Sequence, residues 1–353
     1  MRSLLPVKAN LPGPSKILIG LLILTAFFLP SPYVLLSPGN PQNILGSAIK
    51  ISGATVYPTT GKLSVTSVMV TDPDSYITGF DVLYGWVVGD RAIVPRDEIY
   101  PKGESAQQSK QNGTDEMNGS QANATAAALS YLGYKSTSKL IIGEVNIKSN
   151  SFKVLQAADQ IISLDNKEYV SPSEILDYLD QKQPGDLVSI KVLRGENEIL
   201  TKQIKLSARD DGSAIIGISI ENKFTFPFTV KINLAETGGP SGGLIFALGV
   251  IDKLTPEDLV NSRNIAGTGT ITATGQVGPI GGITEKIIGA RRASVEIFLT
   301  PIANCSDIKN VDQLTKGSGK NVIKIVPVAT LTEAVAVLKL PANATYPSCP
   351  KAA

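Results

Sequence analysis

Three observations predict an α/β fold, in the broad sense that includes α+β mixtures. From Ala214 onward strand-like and helix-like stretches alternate: "FPFTVKINL", "LIFALGVIDKL", "NIAGTGTIT", "TEKIIGARRA", "VEIFLTP", "VIKIVPV" and "TLTEAVAVLKL". A second run of short strands, with one short helix, occupies residues 138–207. Hydrophobic residues make up 42% of the 353-residue chain and charged residues 18%, which is enough apolar material for a packed core and about two domains.

Composition also excludes several chemistries. The chain has no histidine, so serine–histidine and cysteine–histidine catalysis and histidine-ligated metal sites are excluded. Any general base must be Lys, Asp, Glu, Tyr, Cys or a backbone amine. The net charge of +2, without a basic block, points to no nucleic-acid partner. No metal and no cofactor are expected. The two cysteines, Cys305 and Cys349, are too few for a zinc site and too far apart for a redox pair. In an exported chain they would form a disulfide closing the C-terminal tail; two unpaired thiols are the other reading.

The N-terminus carries the compartment signal. Arg2, Lys8 and Lys16 precede a largely apolar run, Ile17 to Leu29, which continues past Pro30 and Pro32 through "YVLL" to Leu36. No acidic residue occurs before Asp72. Residues 17–36 would reach about 30 Å as a helix, so they are expected to be a membrane anchor, with residues 1–16 cytoplasmic. A cleaved signal peptide is the competing reading. Either way the rest of the chain would lie outside the cytoplasm, at the cell membrane.

Along the exported part, Ala48–Val70 alternates apolar and polar residues around "YPTTGK" and reads as a hairpin. Asp72–Pro101, including Trp86, has further turn and strand signals. Residues 102–115 read as a polar loop, and "EMNGSQANATAAALSYLGY" as a helix stopped at Gly133. Beyond it come the strand "KLIIGEVN", a turn at Asp165 and Asn166, a helix at Ser173–Leu179, a turn at Pro184 and Gly185, and two strands joined at Arg194–Asn197.

The chemistry concentrates in "ETGGPSGGL" and "GGITEK". Ser241 follows a strand and precedes an apolar helix, whose unpaired N–H groups could hold an oxyanion. Gly238, Gly239, Gly242 and Gly243 would let a substrate backbone approach. By itself the stretch reads better as a turn and helix cap than as an active site. Lys286 falls in the first turn of another helix, behind Thr284 as a candidate N-cap. There the helix dipole and burial would both lower its pKa toward the range of a general base. "GSGKN" at 317–321 lacks the first glycine and the Ser/Thr of a phosphate loop, and "GTGTIT" is no dinucleotide fingerprint.

Two resemblances follow from these residues. Leu155, Asp159, Ile161, Ile162, Asp165, the 173–179 helix and "PGDLVSIKVLRGE" resemble a PDZ domain of the kind appended to bacterial proteases, over residues 138–208. Ala158 and Asn166 stand where that pattern has glycines. The implied role is capture of peptide C-termini by strand addition, with Leu140, Ile141 and Ile142 as the candidate edge. "GGPSGGLIFALGVID", with "IAGTGTITATGQVGPIGGITEKIIGARRASVEIFLTPIANCSDI", resembles the proteolytic domain of Lon, a serine–lysine dyad peptidase. The resemblance implies Ser241 as nucleophile, Lys286 as base, Thr268 steadying the lysine, and oxyanion donors near Gly239 and Gly242. Thr270 and Gly238 stand where that family carries acidic residues, which leaves its acid–base shell open. The implied arrangement is a protease domain split into residues 47–135 and 210–340, with the PDZ inserted. It is similar to membrane-anchored Lon-like proteases of bacteria: ATP-independent, acting on polypeptides, and by analogy homo-oligomeric. A catalytically inert peptide-binding adaptor is the alternative.

Overall fold

The computed structural model describes residues 12–101, 103–209, 212–234, 238–308, 322–341 and 344–349. "GSGKN" lies outside the described residues, as do residues 1–11.

The first sheet is built on β2 (Gln42–Asn43), β4 (Lys62–Val65), β15 (Asn264–Gly267), β18 (Ile297–Pro301) and β19 (Lys324–Val328), in the order β19-β18-β15-β4-β2. All are parallel except β2. Successive side chains on a strand face opposite ways, so each strand feeds two cores. Ile265, Ile297, Leu299, Val326 and Val328 pack on the side of α4 (Ala106–Tyr131), α6 (Gly243–Leu254) and α8 (Leu331–Leu338). Ala266, Phe298 and Ile325 pack on the other side, with α7 (Ile283–Arg292). The two catalytic-motif helices thus cover opposite faces of one sheet.

The second sheet has β7 (Thr137–Val145), β8 (Gln160–Leu164), β9 (Leu187–Arg194), β10 (Glu198–Lys205) and β13 (Ile218–Thr225), in the order β10-β9-β8-β7-β13. With α5 (Pro172–Leu179) it encloses its own core of Leu140, Ile142, Ile161, Ile175, Val188 and Ile190. The short pair β11 (Ser207–Ala208) and β12 (Ala214–Ile215) leads into β13. Asp159 is buried against Arg194, Nη2 to Oδ2 at 2.7 Å. Burial pushes its pKa up, but hydrogen bonds from Arg194 and the Gln156 N–H outweigh that and hold it below the usual carboxylate range.

Asp165 and Asn166 have φ of 46° and 64°, as their turn requires, and Ala158 has φ of 68°. Alanine is strained there, which accounts for the glycine of the PDZ pattern. Ala158→Gly is expected to stabilise this unit by about 0.5–1 kcal/mol, read as a higher urea midpoint.

A third, small sheet takes β1 (Tyr33–Pro38) between β5 (Val68–Val70) and β6 (Ala92–Pro95), with α1 (Gly13–Phe28), α2 (Gly79–Val88) and α3 (Arg96–Ile99) around it. Of two further strand pairs, β3 (Ile49–Ser52) with β14 (Thr229–Ile232) joins distant parts of the chain, and β16 (Thr270–Ile271) with β17 (Val277–Gly278) is a local pair.

Several expectations are corrected. Residues 17–36 are not one span. Pro30 and Pro32 cannot donate backbone hydrogen bonds, so the helix ends at Phe28 and "YVLL" enters β1, where Val34, Leu35 and Leu36 are buried. Among the described residues no helix is long and apolar enough to cross a membrane. The 48–70 hairpin does not form, because β3 pairs with β14 while β4 joins β15. A helix, α2, replaces strand signals within 72–101; Thr78 caps it reciprocally with Asp81. Within the polar stretch 102–115, a Ser105–Gln108 capping box starts α4 at Ala106. "PEDLVNS", which Pro256 would start as a short helix, is instead a turn held by Asp258, which accepts the Asn261 and Thr60 N–H groups. Leu140, Ile141 and Ile142 are not an edge: β7 is paired on both sides, by β8 and β13, and Leu140 and Ile142 are core residues. The second sheet's last strand lies at 218–225, past the expected boundary at residue 208.

Candidate active site

Ser241 occupies the turn between the glycine-rich loop and α6, and Gly242 is the N-cap, without a side-chain cap. Gly239 has φ of 85°, a turn that glycine makes without strain. A Cβ on Gly242 would lie 2.7 Å from the Phe246 ring, so the start of α6 packs down only with glycine there.

Four hydrogen bonds fix the loop from outside. The Gly239 N–H donates to Gly113 O at 2.8 Å, and Ser120 Oγ donates to Pro240 O at 2.8 Å, both from α4. The Ser241 carbonyl accepts from the Gly269 N–H at 2.7 Å and from Thr268 Oγ1 at 2.9 Å. Gly239 is therefore not a free oxyanion donor, contrary to the sequence expectation: its N–H is engaged by α4. The start of α6, with its dipole, is left for that task.

Lys286 lies in the first turn of α7. The N-cap is Gly282, not Thr284, whose hydroxyl donates to Asp307 O at 3.4 Å. Only 4% of Lys286 is exposed. Burial lowers its pKa to about 8, while the neighbouring Glu285 charge pulls the other way. Its Nζ donates to Thr268 Oγ1 at 3.3 Å. One fully buried hydroxyl thus touches both the lysine amine and the serine's own carbonyl.

Cys305 and Cys349 are joined in a disulfide on the far side of α7. Two polar residues escaped the sequence reading. Ser120, on α4, carried no local signal, since its partner lies 120 residues away. Asp252 is buried at the end of α6, where it accepts the Leu259 N–H at 2.6 Å; burial pushes its pKa up to about 6. Its place in the apolar run "LGVIDKL" was the available clue.

Thr268 thus links Ser241, at a helix start, to the buried Lys286 amine, and comparison with known proteins bears on this arrangement. Residues 229–340 match the Lon protease (S16) C-terminal proteolytic domain. Both Ser241 and Lys286 fall inside the match, which supports a serine peptidase. Among curated relatives, a Lon protease 2 from Herpetosiphon aurantiacus is 35% identical over 121 residues, 32% of this chain and 15% of that protein. A Lon protease from Mesomycoplasma hyopneumoniae is 39% identical over 143 residues, 39% of this chain and 15% of that protein. One from Neorickettsia sennetsu is 29% identical over 166 residues, covering 43% and 19%. The chain thus spans less than a fifth of the length of these Lon proteases. Among solved structures, the PDZ domain of an SdrC-like protein from Listeria monocytogenes aligns at 29% identity over 23% of this chain and 85% of that one, with a TM-score of 0.22.

The Thr268 bridge gives a testable consequence. Thr268→Val should lower kcat by about 10–100-fold with KM little changed, since two hydrogen bonds that place the serine and lysine are lost. Thr268→Ser, which keeps the hydroxyl, should restore most of the rate; steady-state kinetics on a peptide decide this.

Proposed function

We propose that this chain is an ATP-independent serine endopeptidase that uses Ser241 and Lys286 as a dyad, outside the cytoplasm at the membrane. The observation that carries the reading is the buried Lys286, with a pKa of about 8, sharing Thr268 with Ser241. Neutral Lys286 accepts the Ser241 Oγ proton as that oxygen attacks the peptide carbonyl. N–H groups at the start of α6 stabilise the oxyanion. The Lys286 ammonium then returns the proton to the leaving amine, and the amine next activates water to hydrolyse the acyl-enzyme. On this reading casein cleavage should run at the same rate with and without Mg-ATP. A dependence on ATP would overturn that part of the reading.

The second sheet supplies a peptide-docking edge, in line with the PDZ-like order of its elements. The edge is β13, whose one described strand neighbour is β7 and which lies beside α5. A peptide end would add there as a sixth strand. A photo-crosslinker at Asn222 on β13 should capture a bound C-terminal peptide, whereas one at Ile199 on the opposite edge, β10, should not. The reverse pattern would reassign the edge. The Cys305–Cys349 disulfide favours an oxidising compartment for the catalytic part.

A further inference from the structure

The helix α2, "GFDVLYGWVV", is built the wrong way round for a soluble surface. Its inward side is Gly85, seated against the Leu35 and Ile93 side chains. Phe80, Leu83, Tyr84, Trp86, Val87 and Val88 are all exposed, Trp86 at 76%. Its single charged residue, Asp81, is turned into the Thr78 cap. A surface helix ordinarily buries such side chains and exposes charge.

The neighbour of this patch indicates what covers it. α1 touches α2, and Tyr76 Oη donates to Phe28 O at 2.6 Å where α1 ends. α1 exposes Ile17, Leu18, Ile19, Leu21, Leu22 and Phe28, which spread over more than half of its circumference, and residues 17–28 carry no charged side chain on the remainder. A helix docking on protein reserves one apolar face; a helix apolar all round suits lipid. α1 and α2 are in contact, Tyr76 is exposed at the end of α1, and Tyr84 and Trp86 are exposed on α2. Such aromatic side chains concentrate at a membrane–water boundary. At the patch rim Arg91 stacks over Tyr84 at 5.5 Å and pairs through Nε with Asp90 Oδ1 at 3.4 Å.

We infer that α2 is an interfacial lipid-binding helix, which seats the catalytic half on the bilayer surface beside α1. This rests on the membrane location proposed above and adds an orientation to it. The Lys286-bearing helix is tied to this platform: α7 packs on β1, and Arg292 Nη2 meets Asp90 Oδ2, just past α2, at 2.6 Å. The active site would be held at a fixed height and angle above the lipid, where membrane-proximal chain segments reach it first.

Trp86 is the only tryptophan in the chain, so its fluorescence reports on this helix alone. The full chain would be reconstituted into phosphatidylcholine–phosphatidylglycerol vesicles, with and without brominated phosphatidylcholine. Seating of α2 predicts emission shifted to shorter wavelength, loss of most acrylamide quenching, and new quenching by the brominated lipid. Phe80→Ser with Val87→Ser should return Trp86 to its water-exposed spectrum. A chain that co-floats with vesicles while Trp86 stays water-exposed would overturn the inference and leave the membrane location standing. Failure to co-float would overturn both. A spectral shift that grows with protein concentration without lipid would assign the patch to a second copy of the chain, and overturn the lipid reading.

Discussion

Ser241→Ala is expected to reduce peptide hydrolysis by about a thousand-fold or more, and Lys286→Met by a similar factor. The double variant should be no worse than either single one, because the two residues act as a unit. Cleavage of a fluorogenic peptide, with circular dichroism to verify folding, measures this. Activity surviving both substitutions would remove the dyad. The wild-type rate should climb about tenfold per pH unit below pH 8 and level off above it, following loss of the Lys286 proton near its pKa of about 8.

The same lysine should cost stability. Its pKa falls from 10.5 to about 8 on folding, because burial penalises the ammonium. The unfolded chain therefore binds more protons between those values, and stability rises with pH across that window. Below pH 8 the penalty is full, roughly 3 kcal/mol. Lys286→Met should thus raise the midpoint of urea unfolding at pH 7 while abolishing activity, and the gain should shrink toward pH 10.

Loss of the Cys305–Cys349 disulfide is expected to destabilise the α7 side of the catalytic sheet by roughly 3–4 kcal/mol, from a bridge spanning 44 residues. The tail it holds packs into the protein: Cys349 lies against the core that includes Phe298 and Ile325, and Tyr346 Oη meets Arg263 Nη1 at 3.3 Å. Hydrogen exchange in β18 and β19 should accelerate in Cys305→Ser/Cys349→Ser or after reduction. Unchanged protection would mean that the tail contributes nothing to that core.

Most of the catalytic module was legible because its signals are local. Ser241 and Lys286 each sit at a helix start written into neighbouring glycines, and the absence of histidine left few other bases. The strand–helix alternation after residue 214 marked the α/β character, although its first strand, β14, pairs with β3 instead of joining the parallel sheet. Two of the failures involve partners distant in sequence. The 48–70 stretch alternates like a hairpin, yet its two strands find partners near residues 230 and 265. "KLIIG" reads equally well as an edge or an inner strand, and only β13 made it inner. The α2 segment misled because its apolar side chains face outward, so alternation could not tell which side was core.

By itself the sequence determined which groups are available for catalysis, the two helix starts that present them, and the apolar character of the N-terminal run. Only the tertiary structure decided that Lys286 is dehydrated, that Thr268 joins it to Ser241, and that Gly239 has already given its N–H to α4. The physical reason is that residue type and spacing set local propensity. Burial, pKa and hydrogen-bond availability depend instead on which distant segments the folded chain brings into contact.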